Sequence, residues 1–145
     1  MSKKHTVMIV DDDTRYLDYV ARDFRDRNMN LLFAECGESA LFRMESNEVD
    51  VMVIDNTTPG IGGMLLAKEV AKYFPRVVII MISGALTVAE LISAINVSHV
   101  SRFFTKPCDM AEVTVAILSA LQSKVEAEKT GKSTSAEDYI PTDLG

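Results

Sequence analysis

The sequence predicts an α/β protein in which a doubly wound sheet of five parallel strands carries helices on both faces. Two features predict this fold class. Short runs of residues are apolar throughout, which is typical of strands buried on both faces. Between these runs the apolar residues recur every three or four positions, which indicates helices. Short parallel strands joined by right-handed helical crossovers form a doubly wound sheet.

The predicted strands are short and regularly spaced. They lie at residues 7–10, 31–34, 51–54, 77–82 and 103–104. The second run is the faintest of the five, and only two phenylalanines mark the last. Each of the other three is a continuous apolar run of the length expected for a strand that is covered on both sides.

Five helices are predicted between and after these strands. They lie near residues 14–28, 38–47, 64–74, 88–97 and 110–128. Two of them begin with the spacing of an N-terminal capping box, Thr87 with Glu90 and Asp109 with Glu112. Pro75 closes the third helix, because proline does not continue a helix without losing a hydrogen bond.

The chain has 145 residues, of which 48% are hydrophobic, and this is enough for one domain with a buried core. We expect that domain to span residues 4–129. From Thr130 onwards the sequence is polar and has no periodicity. Residues 130–145 are therefore expected to form a flexible tail or linker.

Charge and cysteine usage limit the classes of function. The formal net charge is −6, which disfavours direct binding to nucleic acid or to an anionic membrane, because both need a cationic surface. The N-terminal stretch is neither a secretory signal nor a membrane span. Cys36 and Cys108 lack metal-ligand spacing. We expect two reduced thiols in a cytoplasmic protein.

Polar residues follow four of the five predicted strands. The first ends in Asp11-Asp12-Asp13 and the third in Asp55, whereas Ser83-Gly84 ends the fourth and Lys106-Pro107 follows the fifth. In an open parallel sheet, ligands bind outside the carboxyl ends of the strands. The sequence therefore predicts one rim that carries carboxylates, a hydroxyl group and an ammonium group.

These groups suit phosphoryl transfer. Two carboxylates about 4 Å apart repel by roughly 4 kcal/mol at an effective dielectric constant of about 20, so the cluster favours a cation, and its hard oxygen ligands favour Mg²⁺. A carboxylate such as Asp55 can attack a phosphoryl group to form an aspartyl phosphate. The metal, Lys106 and the Ser83 hydroxyl would stabilise the phosphoryl oxygens. Gly84 would leave room for the group to approach the backbone.

The arrangement resembles the receiver domain of the two-component response-regulator family, over residues 4–129. In that family an acidic pair follows the first strand, as Asp11 and Asp12 do here. The phosphoacceptor ends the third strand and opens a pattern of Asp, three residues, Pro, three residues and Gly. The matching residues in this chain are Asp55, Pro59 and Gly63.

The later motifs of the family also match in order. A Ser or Thr ends the fourth strand and Lys-Pro follows the fifth, as Ser83 and Lys106-Pro107 do. The resemblance implies that Phe103, three residues before the lysine, acts with Ser83 as a conformational switch. It also implies that the backbone carbonyl of Thr57 binds the metal. The Lys-Pro peptide is expected to be cis, as is typical of the family.

The fold and ligands that the resemblance implies can be stated together. The sheet would be flavodoxin-like, with strand order 2-1-3-4-5. Mg²⁺, for which Mn²⁺ could substitute, would be held by Asp11, Asp12, Asp55 and the carbonyl of Thr57. Lys106, Ser83 and Gly84 would stabilise the phosphoryl group, while Pro59, Gly63 and Pro107 would be structural.

The resemblance also implies partners. A sensor histidine kinase or a histidine phosphotransfer protein would supply the phosphoryl group, as in a phosphorelay. Phosphorylation would change the surface formed by the fourth predicted helix, the fifth strand and the fifth predicted helix, and so control a downstream effector domain or protein. A phosphorylation-dependent homodimer is compatible with this scheme.

One feature departs from the family and two other functions remain open. Many receivers have a hydrophobic residue and a Met where this chain has Asn56 and Thr58, which bears on loop rigidity and phosphoryl lifetime. A haloacid-dehalogenase-type phosphatase would use Asp11-Asp12-Asp13 as its Asp-x-Asp motif. Its second acidic pair should follow the lysine, where this chain offers only Asp109 and Glu112 at the start of a predicted helix. A degenerate receiver would act purely as a protein-binding module.

Overall fold

Five parallel strands and four helices make up the part of the chain that a computed structural model describes, namely residues 4–13, 17–56, 62–84, 92 and 100–129. The strands are β1 (Thr6–Val10), β2 (Asn30–Ala34), β3 (Val51–Asp55), β4 (Val78–Ser83) and β5 (Val100–Thr105). The helices are α1 (Leu17–Asp26), α2 (Gly37–Met44), α3 (Gly63–Tyr73) and α4 (Met110–Lys129).

The strands form one sheet in the order β2-β1-β3-β4-β5, and every neighbouring pair is parallel. This confirms the predicted doubly wound fold. The chain leaves β1 towards β2 on one side and continues from β3 to β5 on the other. Such a switch in direction opens a crevice at the carboxyl ends of the strands. Because Val10 pairs with Ile54, the residues that follow them, Asp11 and Asp55, lie at this crevice.

The hydrophobic core consists of two layers, one on each face of the sheet. Alternate residues of β3 divide between them: Val53 packs in the layer with residues of α1 and α4, and Ile54 packs in the layer with residues of α2 and α3. Every residue of β3 and β4 is buried. This two-sided burial explains why these strands are continuous apolar runs in the sequence.

The edge strand β5 is longer than its two phenylalanines predict. It runs from Val100 to Thr105, yet among its residues only Phe104 is fully buried. Because an edge strand is covered less than a central one, it tolerates a charged residue such as Arg102. The pairing with β4 also shifts register between Ile79 and Ile80.

The helix ends agree with the predicted signals where the structure describes them. Oδ1 of Asp109 accepts a hydrogen bond from the N–H of Ala111 at 2.9 Å, so Asp109 caps α4. Helix α3 ends at Tyr73, two residues before Pro75. Of the helix predicted near 88–97 only residue 92 is described, and the tail at 130–145 lies outside the described residues. None of the helices in the described part is long and apolar enough to cross a lipid bilayer.

A buried ion pair joins α4 to the amino ends of the strands, opposite the crevice. Nζ of Lys124 lies 3.7 Å from Oδ1 of Asp50, and both side chains are less than a tenth exposed. The same ammonium donates to the carbonyl oxygen of Arg76 at 2.6 Å. Oδ2 of Asp50 accepts from the backbone N–H of Thr6 at 2.9 Å and lies 3.6 Å from Nδ1 of His5. These contacts connect α4 with the chain segments at the amino ends of β1, β3 and β4.

Candidate functional site

The carboxyl edge of the sheet gathers the residues predicted to carry chemistry. Asp55 is the last residue of β3 and lies opposite Ile82 of β4. Ser83 ends β4, and its carbonyl oxygen accepts a 2.7 Å hydrogen bond from the backbone N–H of Lys106, the residue after β5. Because parallel strands all end on the same side of a sheet, these residues and Asp11 share one rim.

The Asp55 carboxylate is paired with the Lys106 ammonium. Nζ of Lys106 lies 2.7 Å from Oδ2 of Asp55. The side chain of Asp55 is 6% exposed, whereas that of Lys106 is 40% exposed. A buried carboxylate is costly unless it is paired or hydrogen-bonded. Lys106 supplies the positive charge from the solvent side, which favours the ionised carboxylate that a nucleophile needs.

The same contact acts on the lysine. The hydrogen bond to Asp55 raises the pKa of Lys106 above its ordinary value, and burial of the ammonium works against this. The negative charges of Asp55 and Asp11 raise the pKa further. Lys106 is therefore an ammonium group at neutral pH, within electrostatic reach of both strand-end carboxylates.

The three consecutive aspartates after β1 lie in different environments. Asp11 is buried, and its Oδ1 accepts a 2.9 Å hydrogen bond from the backbone N–H of Asp13. Asp12 is exposed. Within the described residues, no three His, Cys, Asp or Glu side chains are grouped closely enough to hold a metal ion. The acidic residues are thus not assembled into a ready three-carboxylate cage.

Asp11 and Asp55 nevertheless fit a hydrated divalent cation. Both are buried carboxylates at the ends of neighbouring strands, and carboxylate oxygens are hard ligands. Mg²⁺ keeps several of its waters and usually takes only one or two carboxylates from the protein. The donor set therefore suits Mg²⁺, with the exposed Asp12 next to it in sequence. The predicted carbonyl ligand, Thr57, lies outside the described residues.

Ser83 is buried at the same rim and touches a residue that the motifs did not single out for a role. It is 3% exposed, and its Oγ accepts a hydrogen bond from Nδ2 of Asn56 at 3.4 Å. Oδ1 of Asn56 accepts the backbone N–H of Met64 at 3.1 Å. Sequence reasoning noted Asn56 only as a departure from the family. Its contacts could have been suspected from its position, since Asn56 directly follows the strand-end Asp55 and precedes a predicted helix.

The two glycines of the predicted site have different surroundings. A Cβ at Gly63 would lie 2.7 Å from both Cα and Oδ1 of Asn56, so this position has a steric reason to be glycine. A Cβ at Gly84 would meet nothing within 4 Å among the described residues. The role of Gly84 in leaving room for a ligand stays a prediction. Pro59 lies outside the described residues.

Phe103 and Pro107 lie on either side of Lys106. Phe103 is half-buried against the core layer of α2 and α3 and lies opposite Met81 of β4. The Lys106–Pro107 peptide bond is cis, as expected. Both residues line a cavity of about 570 Å³ that opens between β5 and the start of α4. The side chain of the predicted switch residue, Phe103, therefore borders a cavity and is only partly buried.

Comparison with known proteins identifies a family for this arrangement. The model of the response regulator receiver domain matches residues 7–140 of the chain. Domains of this family are phosphoacceptors in two-component signalling and not classical enzymes. They generally bind Mg²⁺ at an acidic pocket.

Two relatives match most of this chain but are much longer proteins. The hydrogenase transcriptional regulatory protein HoxA of Cupriavidus necator is 29% identical over 126 residues, which are 87% of this chain and 25% of that protein. The heme response regulator HssR of Staphylococcus aureus is 27% identical over 115 residues, which are 79% of this chain and 50% of that protein. The chain thus spans a quarter to a half of the length of these relatives.

A solved structure shows the same fold. The signal receiver domain of an HD domain-containing protein from Pseudomonas fluorescens Pf-5 superposes with a TM-score of 0.77 at 23% identity, covering 86% of this chain and 99% of that one. At this identity the likeness concerns the fold alone. The family model, however, covers nearly the whole sequence, and on this basis the chain belongs to the response regulator receiver domain family.

Proposed function

We propose that this chain is a phosphoacceptor switch that takes a phosphoryl group onto Asp55 from the phosphohistidine of a sensor histidine kinase or a histidine phosphotransfer protein. The observation that carries the proposal is the buried Asp55 carboxylate at the end of β3, with Nζ of Lys106 only 2.7 Å from its Oδ2. A nucleophile and a cation thus lie side by side at the edge of the sheet where ligands bind.

The chemistry follows from these two groups. A carboxylate oxygen of Asp55 attacks phosphorus in line with the histidine nitrogen that leaves. The phosphorus–oxygen bond forms while the phosphorus–nitrogen bond breaks, and the nitrogen keeps the electron pair. Asp11, Asp12, Asp55 and the carbonyl of Thr57 would hold Mg²⁺, or Mn²⁺ in its place, and the bound metal would supply positive charge for the phosphoryl oxygens.

Lys106 and Ser83 serve the phosphorylated form. Phosphorylation of Asp55 moves the negative charge from its carboxylate to the phosphoryl oxygens, and the Lys106 ammonium follows that charge on its flexible side chain. The hydroxyl of Ser83 donates to another phosphoryl oxygen, and Gly84 leaves the approach open. The same groups hold the phosphoryl group while water attacks the phosphorus. The bond to the Asp55 oxygen then breaks, so the domain also catalyses the hydrolysis of its phosphoryl group to inorganic phosphate.

The output depends on Ser83 and Phe103. When Ser83 is drawn towards the phosphoryl group, Phe103 turns inward, and the surface formed by the predicted helix at 88–97, β5 and α4 changes its packing. A shift of the two-state population from 1:99 to 99:1 needs about 5.5 kcal/mol, which a few charge-assisted hydrogen bonds can supply. The changed surface binds an effector domain or protein in the cytoplasm, without direct contact to nucleic acid or membrane.

A phosphorylation assay with a matched carboxylate control tests the proposal. Wild-type protein incubated with acetyl phosphate and Mg²⁺ should incorporate acid-stable, base-labile phosphate, and Asp55→Asn should incorporate none. Asp26→Asn, at the exposed end of α1, should incorporate as much as wild type. Full incorporation in Asp55→Asn would disprove the proposed acceptor.

Two alanine variants address the phosphatase alternative. A phosphatase that used Asp11 as its nucleophile would hydrolyse a chromogenic phosphoester in Asp55→Ala but not in Asp11→Ala. The proposed function predicts no turnover with this dependence, because its nucleophile is Asp55 and not Asp11.

A further inference from the structure

The side chain of Asn56 connects the residue that follows the proposed phosphoacceptor with two other elements. Its Oδ1 accepts the backbone N–H of Met64 in the first turn of α3 at 3.1 Å. Its Nδ2 donates to Oγ of Ser83 at the end of β4, at 3.4 Å. Its backbone is held as well, because its N–H donates to the carbonyl oxygen of Ile82 at 2.9 Å. Both ends of the amide therefore have a partner.

The orientation of the amide is fixed by α3. The first N–H groups of a helix have no partner within the helix, and the N-cap residue of α3 is Gly62, which makes no side-chain cap. Oδ1 of Asn56 takes this role, because only the oxygen of the amide can accept the N–H of Met64. The absence of a side chain at Gly63 permits this approach, since a Cβ there would lie 2.7 Å from the same oxygen. Nδ2, a donor only, must then face Ser83.

This orientation decides how the Ser83 hydroxyl can bond. A hydroxyl group has one hydrogen to donate and two positions at which to accept. Because Nδ2 of Asn56 can only donate, the Ser83 oxygen accepts from it and keeps its own hydrogen for a different partner. Ser83 is 3% exposed, so bulk water competes little for that hydrogen. A phosphoryl oxygen, which only accepts, is the matching partner.

We propose that Asn56 is a positioning residue for phosphoryl recognition, which holds the Ser83 hydroxyl as an acceptor so that its hydrogen is presented to a phosphoryl oxygen on Asp55. This inference rests on the proposed function of Asp55. Asn56 itself does not touch the phosphoryl group. Its contribution passes through Ser83 and therefore depends on the presence of the hydroxyl group.

A double-mutant cycle tests this dependence with beryllofluoride as the phosphoryl analogue. Its affinity in the presence of Mg²⁺ is measured by titration calorimetry for wild type, Asn56→Ala, Ser83→Ala and the double variant. Asn56→Ala should bind roughly threefold to tenfold more weakly than wild type, as expected for one hydrogen bond. In the Ser83→Ala background the same substitution should change the affinity by less than about twofold. Equal losses in both backgrounds would overturn the inference.

Two further measurements separate the possible failures. Asn56→Asp keeps an oxygen for the N–H of Met64 but cannot donate to Ser83. Its new carboxylate lies beside Asp55 and repels the phosphoryl analogue in either background, so the informative quantity is the difference between the two backgrounds. The loss of affinity should be larger when Ser83 is present than in Ser83→Ala, and equal losses would contradict the inference. If wild type binds no beryllofluoride, or Asp55→Asn binds it equally well, the proposed function fails together with the inference. If wild type binds normally but the effects of Asn56→Ala and Ser83→Ala simply add, only the inference about Asn56 is disproved.

Discussion

Nζ of Lys106 lies 2.7 Å from Oδ2 of Asp55, so the lysine occupies the carboxylate that a divalent cation would also use. We expect Lys106 and the metal ion to compete for the Asp55 carboxylate. Once the ammonium has neutralised the negative charge, a second cation is attracted to the carboxylate less strongly. We therefore expect two opposing effects of Lys106: it stabilises the buried charge of Asp55 when no metal is bound, and it would weaken metal binding.

Lys106→Met should increase the affinity of the domain for Mg²⁺ while abolishing stable phosphorylation of Asp55. Without the ammonium, the buried carboxylate depends on the metal for its counter-charge, and the phosphoryl oxygens lose one stabilising group. Magnesium titrations followed by NMR shifts of the residues around Asp11 measure the first effect. Acetyl phosphate labelling measures the second.

The exposed Lys68 on α3 provides the control for charge. Lys68→Met removes the same formal charge and should leave both the Mg²⁺ affinity and the labelling close to wild type.

Lys106→Met should also lower the free energy of unfolding by about 1–3 kcal/mol without Mg²⁺, less than for a fully buried pair because Lys106 is partly solvated. Added Mg²⁺ should restore much of that loss, and weaker Mg²⁺ binding in Lys106→Met would contradict the competition.

Gly63→Ala should destabilise the fold by about 1–3 kcal/mol, since a new methyl group in a filled space forces the backbone to move. The added Cβ would lie 2.7 Å from Cα of Asn56. Urea unfolding measures the change. Gly62→Ala is the matched control, because a Cβ there meets nothing within 4 Å among the described residues, and its effect should stay below about 1 kcal/mol. Equal effects of the two substitutions would refute the steric explanation.

The central strands were predictable from the sequence, and the edge strand only in part. In β3 and β4 every residue is buried, so the sequence itself is continuously apolar. In β5, partial exposure allows Arg102, and only the pair of phenylalanines signals a strand. The rim residues were predictable because parallel strands present their carboxyl ends together, so spacing along the chain translates directly into proximity.

Contacts between side chains distant in sequence were not predictable in the same way. The sequence predicted Ser83 at the rim and marked Asn56 as a departure from the family, but their 3.4 Å contact arises only because β3 pairs with β4. Lys124 and Asp50 meet only because α4 packs across the sheet and ends beside β3. A hydrogen bond or an ion pair of this kind depends on the relative placement of whole elements, which periodicity does not encode.

Cys108 should react with iodoacetamide more slowly in the folded protein than in urea. Burial raises the pKa of its thiol, although the Lys106 ammonium acts in the opposite direction. A raised pKa leaves less thiolate, the reactive form, at any pH near the ordinary value of the thiol. The rate should therefore rise at higher pH in the folded protein than in the unfolded one. The Cys36→Ser variant isolates this reaction.

The Cys36→Ser background also allows a test of the Lys106 charge. Adding Lys106→Met should move the alkylation of Cys108 to still higher pH, because the nearby positive charge that favours the thiolate is lost. Folding also favours the protonated thiol, so this contribution to stability is present at lower pH and is lost as the pH rises above the unfolded pKa. Identical pH profiles in folded and unfolded protein would show that access, and not thiolate content, limits the reaction.

Lys124→Met should destabilise the domain strongly while leaving phosphorylation of Asp55 intact. The substitution leaves Asp50 buried without its ammonium partner, and an unpaired buried charge costs about 3–5 kcal/mol. The pair lies at the amino ends of the strands, roughly 15 Å from the rim for a five-residue strand, so labelling by acetyl phosphate below the unfolding transition should be unchanged. Lys129→Met, at the exposed end of the same helix, is the control for charge. Asp50→Asn combined with Lys124→Met should recover part of the stability, because the uncompensated charge is gone. A double variant less stable than Lys124→Met would contradict this explanation, since the Asp50 carboxylate would then still stabilise the fold through its contacts with Thr6 and His5.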